Sequence, residues 1–312
     1  GLLTEAINVV NLFVPKGASI VTTKSAIKKY NKTYKTQKPA FDTEIPLVVL
    51  VNGRSASASE IVSGGLQDLD RAVVIGARSF GKGLVQRPKK LTYGTQLKVT
   101  ISRYYTPSGR CIQALDYWNR DENGDPVRLG TEEYNSFKTK GGRTVYDGGG
   151  IMPDIELKSG EFSPITTALL KDQAIFDYAT NYYYNNKINN WEDFSFSNRD
   201  FQEFLTFLKT NNFEYETETE KLFSEAFRKS EDEHLQKNIS SSYNQLMIFL
   251  DDAKEKALAE KKEEIINLLS DEILKRYFYR DGMYKYHLNN SPEILEAVSV
   301  LNNTSRYQKI LK

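Results

Sequence analysis

Two short stretches hold the side chains whose types and spacing could do chemistry. "VNGRSASASEI", residues 51–61, leads a strand-like apolar run through small residues into a helix-like one. "VVIGARSFGKG", residues 73–83, sets Lys82 between two glycines behind a second apolar run. Ser57 and Glu60 have the spacing of a capping box, in which hydroxyl and carboxylate satisfy free amides at a helix start. The same position suits a nucleophile. A hydroxyl there stands at the positive end of the helix dipole, and the Ala58 N–H can meet a developing oxyanion. On Ser57 alone both readings stay open.

A serine hydroxyl needs a base at neutral pH. The two histidines, His234 and His287, both fall in the second half of the chain, so a Ser-His-Asp set confined to the first half is excluded. Lysine remains. An amine serving as base must shed its charge, its pKa falling from about 10.4 toward ~7–8 through desolvation. Gly81 and Gly83 permit close backbone approach around Lys82, and Phe80 is expected to help exclude water. If residues 82–86 form a strand, Gln86 shares a face with Lys82 and can steady the amine, because strand side chains alternate. The spacing from Gly76 to Gly81 and Lys82 also resembles a phosphate-binding loop. That motif needs a hydroxyl residue next and then a helix, whereas Gly83 and the proline-bearing "LVQRPKKL" follow here.

These stretches need elements to position them. Strands are predicted over 19–23, 45–52, 71–76, 83–86 and 96–106, with helices over 3–13 and 58–69. Mixed strands and helices imply an α/β layered domain. Residues 114–148, polar and glycine-rich, read as a surface excursion. From Ser163-Pro164, a helix cap with proline in the first turn, the periodicity turns helical, with one long charged helix through 246–278. The expected division is an α/β domain at 1–160 and an all-helical domain at 161–312. Formal net charge is +1, from 42 basic and 41 acidic residues, so no overall field favours nucleic acid or an anionic membrane. The single cysteine, Cys111, excludes an intrachain disulfide or a cysteine metal cluster and reads as inert. No His, Asp or Glu spacing suggests a metal, and no cofactor is expected. No apolar run approaches the ~20 residues of a membrane span. The opening "GLLTEAINVV" lies inside an amphipathic pattern without a methionine, which predicts a natural N-terminal part before it.

The motifs "VLVNGRSASASEIVSGGLQD", "RAVVIGARSFGKGLVQ", "YYTPSGRCIQ" and "GGIMPDIEL" occur in one order and spacing. Over residues 1 to about 158 the chain thereby resembles the carboxyl-terminal processing peptidases, or tail-specific proteases. The resemblance implies a ClpP/crotonase-like serine protease core with a serine–lysine pair. It also implies a PDZ domain and first core elements that are missing from this sequence, and it does not account for the helical part. Carried over by position, Ser57 is the nucleophile, Lys82 the general base and Gln86 the residue that orients the lysine. The oxyanion donors would be the amides of Ala58 and Gly1, the latter ending a family stretch of which nothing else is present. Tyr104, Tyr105 and Pro107 are expected to line the substrate cleft, and "GGIMPD" to shape the crossing before Asp154. Tyr178 and Tyr182–Tyr184 are expected to pack helices.

The implied partners are proteins with exposed, apolar C-termini and no nucleic acid; a homo-oligomer is compatible. Membrane contact is expected only through an anchor upstream of Gly1, and the location implied is the periplasm or cell envelope. Two competing readings differ in class. One is a non-catalytic peptide-binding module or inactive piece on the same fold. The other is a crotonase-type acyl-CoA enzyme, which gives a lysine base no role.

Overall fold

The computed structural model describes residues 1–122, 124–128, 130–157 and 162–312. The chain divides into two compact units, Gly1–Ser159 with Ser291–Lys312, and Gly160–Asn290.

In the first unit α1 (Leu3–Asn11) precedes β1 (Ser19–Lys24) and β2 (Lys32–Lys35). β3 (Val48–Val51), α2 (Ala58–Asp68) and β4 (Val73–Gly76) then form a strand–helix–strand unit whose strands pair in parallel, Val48 opposite Val73 and Val51 opposite Gly76. β5 (Leu84–Lys90) and β6 (Gln96–Tyr105) make an antiparallel hairpin. The excursion that follows folds as two ribbons, β7 (Leu115–Arg120) with β8 (Pro126–Arg128), and β9 (Ser136–Lys138) with β10 (Thr144–Tyr146). β11 (Ile155–Glu156) completes a parallel sheet of order β11-β4-β3, and the antiparallel sheet has order β2-β1-β6-β5.

β4 explains how the layers stack. Val73, Val74 and Ile75 are all fully buried, as parallel strands covered on both faces require. Because successive side chains point to opposite faces, Val74 packs with Val51, Ile61, Leu66 and the α1 residues Ile7 and Val10. Val73 and Ile75 face the other way and need a second cover.

The second unit is helical: α3 (Pro164–Lys171), α4 (Ala174–Asn185), α5 (Asn198–Thr210), α6 (Glu218–Asp232), α7 (Gln236–Glu260) and α8 (Lys262–Asn290). Ser163 caps α3 by accepting from the Thr166 amide, with Pro164 in the first turn as expected. The core gathers Leu169, Ile175, Phe204, Ile265, Leu269 and Ile273. Tyr178 packs edge-on against Phe204 and Phe207 with centroids 5.0 and 5.4 Å apart, and Tyr182 packs against the same core, whereas Tyr183 and Tyr184 are exposed. The single helix expected over 246–278 is two helices that meet at Lys261. No glycine or proline marks that break; α8 starts afresh where Ile265 and Leu269 enter the core.

The expected boundary at 160/161 lies outside the described residues. The helical assignment of everything beyond it needs correction at its far end, because the chain leaves the second unit at Asn290. α9 (Pro292–Asn302) and α10 (Thr304–Leu311) join the first unit. Ala297, Val300 and Tyr307 supply the second cover for Val73 and Ile75. The Tyr307 hydroxyl accepts from the Leu47 amide at 2.9 Å and lies 3.2 Å from the Leu47 carbonyl oxygen. Tyr307→Phe leaves that amide unsatisfied beside β3 and is expected to cost about 1–2 kcal/mol, read by chemical denaturation of the α/β unit.

Candidate active site

Ser57 is the residue before α2, and its backbone is unusual for a residue with a side chain, with φ 58° and ψ −112°. Such a conformation costs roughly 1–3 kcal/mol and persists where surrounding bonds impose it. The Ser57 amide donates to Glu60 Oε2 at 2.7 Å, the reach-back half of a capping box. The Ser57 carbonyl accepts from the Glu60 and Ile61 amides. The hydroxyl faces the Glu60 amide in a capping-box arrangement but without a full cap hydrogen bond.

Glu60 is the hub. It is fully buried, and four donors converge on its carboxylate. Oε2 accepts from the amides of Ser57 at 2.7 Å and Lys82 at 2.9 Å. Oε1 accepts from the Gly81 amide at 2.7 Å and from Ser79 Oγ at 2.6 Å. Ser79 Oγ in turn accepts from the Ile151 amide at 2.6 Å, which ties in the "GGIMPD" crossing. One carboxylate oxygen therefore holds the backbone of Ser57 against that of Lys82. Sequence reading took Glu60 for a cap and nothing more. A glutamate three residues into a small-residue turn was the available signal, but its long-range partners were invisible.

Tyr104 clasps the same pair from the carbonyl side. Its hydroxyl lies 2.5 Å from the Lys82 carbonyl oxygen and 3.2 Å from that of Ser57, so one phenolic proton serves both. Burial, and then the negative charge of Glu60, push the phenol well above the usual tyrosine range, which keeps it a donor. Tyr104 is thus an internal strap rather than a cleft residue. Tyr105, the next residue, faces a groove and has Lys24 Nζ 4.3 Å from its ring centroid. Pro107 lies elsewhere. The following amide, Ser108, donates to Asp68 at the last residue of α2. That is three turns from Ser57, or roughly 16 Å at 1.5 Å per residue. The buried ion pair Arg110–Asp68, at 2.8 Å, fixes this far end of the helix.

The lysine loop departs from expectation in three ways. First, the glycines beside Lys82 admit the chain's own backbone rather than a ligand. A Cβ on Gly81, whose φ is +85°, would sit 2.3 Å from Ala114 Cβ, and one on Gly83 would sit 2.8 Å from the Gln113 amide. Second, Lys82 is exposed and Phe80 is 38% exposed, so the desolvated amine is not enclosed by these residues. Third, Gln86 donates to Thr100 at 3.3 Å instead of to Lys82, beyond a bulge in the β5–β6 register between Val85 and Gln86. The extra residue of that bulge is Ile101 on β6, and Lys82 itself lies before β5 begins, so the strand alternation on which the shared face depended does not reach it. β5 follows Lys82 where a phosphate loop would begin a helix, so that reading falls.

Gly1 comes against the start of α2: a Cβ on Gly1 would lie 2.9 Å from Ala58 Cβ. The structure thus brings Gly1, Ser57, Ala58 and Lys82 to one place, with Glu60, Ser79 and Tyr104 behind them. Cys111 is pushed above its usual range by burial, which disfavours a reactive thiolate. Among the described residues no group of three or more His, Cys, Asp and Glu could hold a metal ion. No helix among them is long and apolar enough to cross a membrane.

Comparisons with known proteins find matches to both parts of the chain. Residues 1–117 match the family described as Peptidase family S41. Residues 165–301 match the family described as Probable PDZ-protease, C-terminal helical domain. A carboxy-terminal-processing protease of Bartonella bacilliformis is 45% identical over 115 residues, which cover 37% of this chain and 26% of the relative. A chloroplastic C-terminal processing peptidase of Tetradesmus obliquus is 36% identical over 132 residues, covering 42% and 28%. The solved photosystem II D1 C-terminal processing protease is 30% identical, covering 51% of this chain and 32% of its own, at a TM-score of 0.35. These matches span between a quarter and a third of the relatives' length, at 26%, 28% and 32%.

Two substitutions test the geometry. Glu60→Ala strands four buried donors and is expected to cost about 3 kcal/mol or more, since one unsatisfied group costs about 1–3 kcal/mol. Ser57→Gly relieves the positive φ and is expected to stabilise the chain by about 1 kcal/mol relative to Ser57→Ala. Equal melting of the two Ser57 variants would show that the turn is not strained.

Proposed function

We propose that this chain belongs to the carboxyl-terminal processing peptidases of family S41, to which its first part is similar, and that it carries the catalytic pair of a serine endopeptidase acting near protein C-termini. The observation that carries this reading is the double strap: Glu60 holds the amides of Ser57 and Lys82, and Tyr104 reaches both carbonyls. The backbones of nucleophile and base are fixed while their side chains stay uncommitted.

In the reaction, neutral Lys82 takes the proton from Ser57 Oγ as it attacks the scissile carbonyl. The oxyanion forms against the Ala58 N–H and the amide at the Gly1 position. Lys82 then gives its proton to the leaving amine, and water opens the acyl-enzyme by the reverse steps. A bound apolar polypeptide tail lies over the exposed amine and supplies the desolvation that a lysine base requires. For Gln86 to steady that amine, its amide must exchange Thr100 for Lys82. The substrates are proteins with exposed apolar tails, and the setting is the cell envelope, in keeping with bacterial and chloroplastic relatives.

The exposure of Lys82 also favours a second reading, a binding module or inactive piece on this fold. Cleavage of an unstructured protein separates the two, measured for the chain alone and preceded by its natural upstream sequence. Ser57→Ala and Lys82→Ala are each expected to lower the rate at least ~10³-fold, as loss of a nucleophile or its base does, with folding retained. An inert longer protein, or full activity in either variant, overturns the mechanism.

A further inference from the structure

The chain as a whole is balanced at +1, but one sheet is not. Residues 19–38 and 84–105, which include β1, β2, β5 and β6, hold eleven lysines and arginines and no aspartate or glutamate. The β5–β6 hairpin carries this charge outward. From Gln86 to Thr100 every residue is exposed, so both strands of this arm are uncovered on both faces. A lone two-stranded ribbon is marginal in water. Its tip is nonetheless apolar: Tyr93 is fully exposed, Leu97 50% and Leu91 48%. Lys89, Lys90 and Lys98 form a collar behind the tip, with Lys89 opposite Leu97 and Pro88 opposite Lys98.

A groove of about 1210 Å³ runs along the same sheet. Lys24, Arg87, Lys89 and Arg103 line it, no carboxylate does, and Tyr117 and Trp118 stand at its wall. Trp118 is 89% exposed. Amphipathic aromatics and lysines around an apolar tip are the composition of a surface that sits at lipid headgroup level.

We propose that the β5–β6 arm and the groove beside it dock on an anionic lipid bilayer. The tip residues Leu91 and Tyr93 enter the headgroup boundary, and the lysine collar neutralises acidic headgroups. The tip stands about 13 Å beyond the Lys89–Leu97 pair, at ~3.3 Å per residue, which exceeds the ~5–10 Å to which interfacial elements insert. The arm therefore reaches the bilayer without immersing the site at Ser57. A polypeptide partner would have to supply a pocket for a fully exposed tip; a bilayer needs none.

Flotation of the chain with vesicles of phosphatidylcholine alone, and of phosphatidylcholine with phosphatidylglycerol, tests this. Binding is expected to the mixed vesicles and not to the neutral ones, weakening with added salt. Lys89→Glu, Lys90→Glu and Lys98→Glu together should lower partitioning on the order of 100-fold, since each cation near the surface contributes about 5-fold. Leu91→Ser with Tyr93→Ser should lower it at unchanged charge. All five residues are exposed, so circular dichroism should match the parent chain. Lys256→Glu together with Lys209→Glu and Lys237→Glu, an equal change on exposed residues of α5 and α7, should leave binding intact. Failure to bind the mixed vesicles, undiminished binding after the triple reversal on the arm, or an equal loss after the triple reversal on α5 and α7 overturns the proposal. Binding of soluble polyglutamate without vesicle binding also overturns it, and would assign the face to an acidic polypeptide.

Discussion

A single buried carboxylate sets the geometry of the candidate site. Taking an ion out of water costs several kcal/mol even after relaxation, so a glutamate at Glu60 survives only with its oxygens saturated. Four donors do this, and they come from two segments more than twenty residues apart: the Ser57 turn, and the loop from Ser79 to Lys82. The cost of burial is thereby converted into position. The loop cannot drift from the helix start without leaving a charge unsolvated, and the strained Ser57 turn cannot relax without losing its acceptor.

The rest of the first unit keeps that arrangement rigid. α2 is held at its far end by Arg110 on Asp68, while the Ser108 amide donates to the same carboxylate. Asp154 binds the Val74 amide, Gln67 and Arg143, joining β4 to the end of α2. β4 is itself pressed between two apolar layers, one of which is supplied by residues from the end of the chain. Against this fixed backbone the reactive side chains are less constrained: the Ser57 hydroxyl has no full cap hydrogen bond, and Lys82 is exposed. An arrangement of this kind is preorganised where positioning matters and open where a substrate must enter.

Charge is distributed on a similar principle of separation. A balanced total conceals a sheet with cations alone and a helical unit that carries much of the acidity, including Glu220 buried against Lys254 at 2.5 Å. Net charge averages over the whole molecule, whereas a surface a few Debye lengths across responds to its own charges. The absence of an overall field thus says little about the β5–β6 arm.

Much was legible in the sequence. The strands at 19–24, 48–51, 73–76 and 96–105 and the helices at 3–11 and 58–68 follow from local apolar periodicity, which is a property of neighbouring residues. Ser57 before a helix and Lys82 before a strand follow from the same local patterns. What the tertiary structure alone decided is non-local. A capping glutamate became the hub because its partners lie twenty residues on, and Tyr104 turned inward because its hydroxyl found two carbonyls. The glycines around Lys82 proved to accommodate Ile112–Ala114, and Gln86 bonds Thr100 across the hairpin while Lys82 stays outside β5. The last two helices left their helical neighbours because β4 had a second face to cover. Sequence determines which side chains an element presents; which of them meet is set by packing and by the need to satisfy every buried polar group.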